Sequence, residues 1–237
     1  MTASRIATFG AAAVLLLALA GCAGGSSVGA TGGQTSAPSA SEQGIITRNP
    51  SEKFASSQRE WTAMNLQYAK NDVNASDSQI AILERSVQAG GIAVSDYEKA
   101  WANYKRCVTD KGQPEPELNR YANGLYAQRG LRGSPEKAGA FYSASIQCHT
   151  AEVLYVTMAY NSQVDNPNLY QDPHMQMADC LRRAEIVPKS YAVDDYSREL
   201  RTGEYSYDEL APEARACEVA SNIAVGHQND AYQDVGW

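Results

Sequence analysis

Three histidines are the side chains of this 237-residue chain best suited to acid–base or metal chemistry. His149, His174 and His227 are widely spaced, so each would need partners from distant segments. His174 lies near Met175 and Met177, and this pattern could offer soft ligands to copper(I). In a helix, however, Met177 would face the core and His174 would lie in the exposed first turn. No further histidine or methionine cluster reinforces this group, so we predict no metal site and no cofactor.

Three short segments match functional motifs, but none has the context that the chemistry requires. Residues 25–29 match Gly-x-Ser-x-Gly, yet no apolar strand precedes them to form a nucleophile elbow. Ser134 and Lys137 have the Ser-x-x-Lys spacing of penicillin-interacting enzymes, but the later Ser-x-Asn motif is missing. A calcium loop from Asp72 would need glycine at position six and glutamate at position twelve, where the chain has Asp77 and Leu83. We therefore predict no catalytic residues.

The amino terminus carries a short apolar run that is typical of a signal peptide. The run extends from about residue 7 to residue 20 behind one basic residue, Arg5, and is shorter than a membrane-spanning helix of roughly 20 residues. Four residues at its end resemble the lipobox of bacterial lipoproteins, namely Leu19, Ala20, Gly21 and Cys22. We expect residues 1–21 to be removed and Cys22 to be acylated. Membrane lipid would then hold the chain at the extracytoplasmic face of the cell membrane.

The composition of residues 22–50 predicts a flexible tether, because Gly, Ser, Thr, Ala and Gln dominate it and cannot bury enough apolar surface to fold. Residues 51–237 would form the extracellular domain. Without Arg5, the 20 basic and 27 acidic residues of the chain leave a net charge of −8. An acidic surface without basic clusters argues against a nucleic-acid partner.

Four cysteines remain after lipidation of the first, and in an oxidising compartment an even number predicts two disulfides. They are Cys107, Cys148, Cys180 and Cys217. A zinc site with four thiolates is disfavoured, since no Cys-x-x-Cys pair is present. Three pairings are compatible with the sequence, and order along the chain suggests Cys107 with Cys148 and Cys180 with Cys217.

Helical periodicity dominates the domain and predicts a mainly α fold, braced by these disulfides. Ser76 with Gln79 and Ser95 with Glu98 have capping-box spacing, and Pro135 would open a long helix. The predicted helices cover about residues 51–70, 76–90, 95–112, 134–160, 172–184, 195–202 and 212–224.

A small β-hairpin is predicted around Asn123-Gly124, a typical tight-turn dipeptide. Tyr121 and Tyr126 flank this turn, and the chain has 14 tyrosines against three phenylalanines. Amphipathic rings suit interfaces and sugar contacts, so these two tyrosines are a candidate binding surface. We expect them to lie on one surface near the turn and to contribute little to the core.

The cysteine segments resemble uncharacterised secreted lipoproteins of actinobacteria. The segments concerned are residues 104–112, the helix around Cys148, residues 180–188 and residues 212–217, within a likeness that covers about residues 95–224. This resemblance implies a secreted, lipid-anchored protein and carries no assigned activity.

These features together favour a non-enzymatic accessory or binding module that serves an envelope transporter or the cell wall. An envelope enzyme acting on peptidoglycan through scattered carboxylates stays open as an alternative. A solute-binding lipoprotein of a transporter is disfavoured, because a two-lobed α/β receptor needs a longer chain with alternating strands and helices.

The substitution Cys22→Ser should abolish lipid labelling and release the protein from membranes, because the acyl chains would be attached to that sulfur. Metabolic labelling with a tagged fatty acid and membrane fractionation measure both effects. A variant as membrane-bound as the unmodified chain would contradict the lipoprotein assignment.

Overall fold

The computed structural model describes residues 49–223, 226–227 and 229–237. Eight helices lie in these ranges: α1 (Gln58–Asn71), α2 (Asp77–Ala89), α3 (Val94–Asp110), α4 (Pro135–Glu152), α5 (Leu154–Asp165), α6 (Pro173–Arg183), α7 (Val193–Thr202) and α8 (Pro212–Ala220). Four strands accompany them: β1 (Leu118–Arg120), β2 (Tyr126–Gln128), β3 (Gly130–Arg132) and β4 (Tyr232–Asp234). The predicted signal peptide, lipobox, Cys22 and Ala224 lie outside the described residues, as does all but the end of the tether.

Side-chain caps explain where several helices begin. Ser134 accepts a hydrogen bond from the Lys137 amide, and Asp172 caps α6 through the amides of His174 and Met175. Proline occupies the first turn of α4, α6 and α8, where a missing N–H has no cost. The mainly α fold is thus confirmed.

Two predicted helix starts were wrong. The first helix begins at Gln58 instead of about residue 51, although Phe54 still stacks on Trp61 with ring centroids 4.4 Å apart. The third begins at Val94, so Ser95 lies inside the helix and Ala93 precedes it without a side-chain cap. The first helix starts at a cap that its apolar period does not indicate, since the Ser57 side chain accepts from the Glu60 amide, whereas the third starts without a side-chain cap.

The long helix predicted over 134–160 is divided at Val153, and the fully buried side chain of Gln79 explains the division. Its Nε2 donates to the carbonyls of Thr150 and Ala151 at 2.9 and 2.7 Å. Its Oε1 accepts from the Tyr155 amide at 2.8 Å. Gln79 therefore satisfies backbone groups that an unbroken helix would pair internally.

The capping box predicted at Ser76 is only half formed. The Ser76 hydroxyl accepts from the Gln79 amide at 3.1 Å, as expected. The Gln79 side chain does not return to Ser76, because it is engaged at the break between α4 and α5. The Ser76 amide donates instead to the Ala151 carbonyl at 2.9 Å.

Strands β1 and β2 form the predicted antiparallel hairpin, with Arg120 opposite Tyr126. Gly124 has a φ of 82° in its loop, which favours glycine. Strand β4 pairs in parallel with β3, a contact that was not predicted. Through it the carboxyl-terminal segment packs beside the hairpin, where the Gln233 side chain accepts from the Glu117 amide at 2.8 Å.

The apolar core consists of two clusters, and each contains one disulfide. Cys107–Cys148 joins α3 to α4 in the larger cluster, with the Cα atoms 5.7 Å apart. Cys180–Cys217 joins α6 to α8 in the smaller one, with the Cα atoms 5.6 Å apart. The predicted pairing is confirmed. None of the helices in the described ranges has the length and hydrophobicity needed to cross a membrane.

Removal of the first disulfide by the double substitution Cys107→Ala and Cys148→Ala should lower the free energy of unfolding by roughly 4 kcal/mol, the chain-entropy value for a loop of this length. Urea denaturation followed by circular dichroism measures the loss. The Cys180–Cys217 disulfide closes a loop of similar length, so the matched double substitution Cys180→Ala and Cys217→Ala should lower the free energy of unfolding by about as much. A loss below about 1 kcal/mol in both variants would show that the disulfides do not brace this fold.

Candidate functional site

A cavity of about 390 Å³ opens between α1, α3, β2, α5 and α8. This volume lies within the range of small-molecule sites, roughly 300–1,000 Å³. Five aromatic residues line it: Phe54, Trp61, Trp101, Tyr104 and Tyr126. We call this space the aromatic cavity.

The innermost aromatic side chains are held rigidly. Trp61, Trp101 and Tyr104 are only 4, 6 and 1% exposed. The Trp61 indole donates to the Met158 carbonyl and the Ser162 hydroxyl, both at 3.2 Å, and this fixes its plane against α5. Trp101 meets Tyr104 edge to face at 5.4 Å. The apolar wall is therefore preformed.

The lining also carries neutral polar groups, and it contains no Asp, Glu, Lys or Arg. The Tyr104 hydroxyl donates to Gln128 Oε1, which leaves the Gln128 amide nitrogen without a partner among the described residues. Asn161 Oδ1 is a buried acceptor with no hydrogen bond. The Trp101 indole N–H is a buried donor that lies near the Tyr97 hydroxyl without reaching hydrogen-bond geometry. The Asn161 oxygen and the Trp101 N–H are already out of contact with solvent, so the Gln128 nitrogen is the unpaired group of these three that a bound molecule could reach.

His149 lies at the end of α4, between the aromatic cavity and a neighbouring surface pocket that contains Tyr142 and Ile146. Its ring meets those of Trp101 and Tyr104 at 6.1 and 6.3 Å. Burial lowers the pKa of His149, because its charged form loses hydration there. The imidazole is thus neutral at pH 7, which preserves the uncharged lining.

A second cavity of about 340 Å³ adjoins the first and differs in its charge. Four residues line both cavities: Ala127, Gln128, Val219 and Asn222. Tyr121, Arg215, Glu218 and Asp230 line only the second. We call it the charged cavity.

The charged groups of this cavity are bound to one another. Arg215 contacts Glu218 at 2.5 Å and Asp230 at 2.9 Å. His227 Nε2 lies 3.2 Å from Glu218, and its backbone amide donates to Asp230. Burial raises the pKa of the Glu218 carboxyl, and the charges of Arg215 and His227 oppose that effect. This network ties His227 and Asp230 to α8.

Tyr121 and Tyr126, predicted as one binding surface, line different cavities. Tyr126 packs against the larger core and stacks on Tyr97 at 5.8 Å, so the expectation that it contributes little packing is wrong. The Tyr121 ring faces the Arg215 guanidinium at 6.0 Å. The turn between them is anchored too, because the Asn123 side chain donates to Asp165 and to the carbonyl of residue 216. Whether either tyrosine binds a partner stays a prediction.

The copper(I) pattern is not assembled. His174 Nδ1 lies 2.8 Å from the Ser197 hydroxyl, and Met177 is fully buried in the smaller core. Within the described ranges, no three His, Cys, Asp or Glu side chains are placed to hold a metal ion. Ser134, from the Ser-x-x-Lys match, caps α4.

The reasoning from sequence missed the aromatic cavity. Trp101 and Tyr104 lie on a helix face directed at the core, and that face is also a cavity wall. Asn161 was not singled out. Its polar side chain next to an apolar helical stripe is the sequence feature that could have indicated a cavity.

Replacement of His149 by glutamine should flatten the loss of stability in mild acid. Well above the ordinary histidine pKa of about 6.5, the imidazole is neutral in folded and unfolded chains and the two states bind protons equally. Below it the unfolded chain takes up the proton first, since the folded pKa is lowered, so stability falls by up to about 1.4 kcal/mol per pH unit. Urea denaturation of the unmodified protein and of His149→Gln between pH 5 and 8 measures the difference in stability. Glu218 titrates in both proteins, so its contribution is absent from that difference. Parallel stability curves would contradict the assignment.

No protein-family model matches the chain, and no match was found among curated proteins or solved structures. Its function therefore has to be inferred from the chemistry of its own residues.

Proposed function

We propose that this protein is a lipid-anchored, extracytoplasmic binding module of the cell envelope, and that the aromatic cavity holds its ligand. The observation that carries the proposal is the cavity itself, a preformed space with aromatic walls and unpaired neutral polar groups. The anchor would be acylated Cys22. Two disulfides are compatible with the oxidising compartment in which such a protein works.

A non-enzymatic role is favoured because the cavity lacks a reactive pair. Its lining offers one imidazole and no carboxylate, cysteine or lysine. No hydrogen bond joins His149 to a hydroxyl that it could activate, within the described part of the chain. Nucleophilic catalysis by a hydroxyl would use such a contact.

The second candidate is an envelope hydrolase, and Glu218 is the observation in its favour. A buried carboxyl with a raised pKa beside a cavity is the usual form of a general acid. Arg215 and His227 already bind this carboxyl, however, at 2.5 and 3.2 Å. An acid that must give its proton to a substrate would have to leave both partners, so the binding role is preferred.

The partner would be a component of the cell wall or of an envelope transporter. The predicted acidic surface, with a net charge of −8 after removal of Arg5, again argues against nucleic acid. A tether of residues 22–50 would give the domain access to material beyond the lipid headgroups.

The substitution Ala127→Trp should reduce binding to peptidoglycan about tenfold or more. Ala127 lines both cavities, so an indole at this position would fill space that the ligand needs. Co-sedimentation of the purified protein with insoluble peptidoglycan measures it. Ala140→Trp places the same side chain on the exposed face of α4 and should bind as the unmodified protein does.

Two outcomes would overturn the proposal. Equal sedimentation of both variants would show that the cavity is not the site. Steady release of soluble wall fragments, stopped by Glu218→Gln, would establish the hydrolase instead.

A further inference from the structure

We propose that the aromatic cavity recognises an uncharged N-acetylated amino sugar. The inference rests on the proposed function and names the chemical class of its ligand. It depends on the charge, the unpaired atoms and the apolar surface of the cavity.

The charge of the lining excludes an ionised group at its centre. No acidic or basic side chain borders the aromatic cavity, and burial keeps His149 neutral. The nearest charges, at the adjoining cavity, are committed to one another through Arg215, Glu218 and Asp230. A buried ion without a counter-charge loses much more hydration energy than such a site returns. The ligand is therefore neutral where it is enclosed.

The unpaired polar atoms exclude a purely apolar ligand such as an acyl chain. The Asn161 amide nitrogen forms no hydrogen bond within the described part of the chain and, unlike the buried Oδ1, is not sealed from solvent. The His149 ring and the amide nitrogen of Gln128 also lack partners there. A hydrocarbon over these groups would seal them from water, at a cost of about 1–3 kcal/mol for each.

An N-acetylated pyranose is neither ionised nor purely apolar, so it meets both requirements. Its ring has apolar C–H faces that suit aromatic walls and hydroxyl edges that suit neutral side chains. Its acetamido group carries an N–H donor, a carbonyl acceptor and a methyl group. The Asn161 amide nitrogen can donate to that carbonyl, and Met158 lies one turn before it on α5 to receive the methyl group.

The fluorescence of the cavity tryptophans provides the test. Trp61 and Trp101 line the cavity, whereas Trp237 is 84% exposed, so Trp237→Phe leaves only the two cavity residues as reporters. This variant is titrated with N,N′-diacetylchitobiose and with cellobiose, which has hydroxyls in place of the acetamido groups. We expect a saturable change with the first and about tenfold or weaker affinity for the second, as one lost hydrogen-bonded group predicts.

The substitution Asn161→Ala should remove this preference. Alanine favours helix, and Asn71→Ala at the exposed end of α1 is the matched control, which should keep the preference. Circular dichroism verifies that both variants fold. Unchanged selectivity in Asn161→Ala, or equal affinity for the two disaccharides, would overturn the proposal.

Failure of this inference is distinguishable from failure of the proposed function. If N-phenyl-1-naphthylamine binds and neither disaccharide does, the cavity takes apolar molecules and the sugar assignment is wrong. If no probe binds but Ala127→Trp still weakens sedimentation with peptidoglycan, the binding role stands and only the ligand class is refuted. If neither assay detects binding, both proposals fall.

Discussion

The buried amide of Gln79 holds the point where the chain turns from α4 into α5, and the aromatic cavity depends on that turn. Val153 has a φ of −131° and a ψ of −23°, outside the geometry of a continuous helix. Without a partner, the backbone groups freed there would be buried and unpaired. Gln79 donates on one side of Val153 and accepts on the other. His149 on α4 and Asn161 on α5, which lie on opposite sides of this residue in the chain, both border the cavity.

The disulfides and the charged network secure the remaining walls. Cys107–Cys148 ties α3, which carries Trp101 and Tyr104, to the helix that carries His149. The contacts of Arg215 with Glu218 and Asp230 hold the carboxyl-terminal segment against α8. Strand β4 then pairs with β3, where a Cβ at Gly133 would come within 2.5 Å of the Gly236 carbonyl. Close backbone approach at the end of β3 thus requires glycine.

The features that the sequence predicted are those with local or counting signals. Ser134 and Asp172 announce helix starts within four residues, Asn123-Gly124 marks the hairpin, and an even number of cysteines indicates disulfides. The break at Val153 has no local signal, because its cause lies about 74 residues earlier at Gln79. The pairing of β4 was not predicted because a strand of three residues is too short to show an alternating pattern.

The cavity was hidden for a different reason. A helix face that packs in a core and one that lines an enclosed space have the same apolar period, so Trp101 and Tyr104 resemble core residues in either case. What separates the two is the fate of the polar atoms beside them. Gln58 and Asn65 each leave a buried oxygen unpaired but use their nitrogen in a bond to a backbone carbonyl. Asn161 uses neither atom within the described chain, and an apolar side chain there would avoid the cost of its buried oxygen. Stability of the fold alone does not account for an amide at this position, whereas a ligand with an acceptor for its nitrogen does.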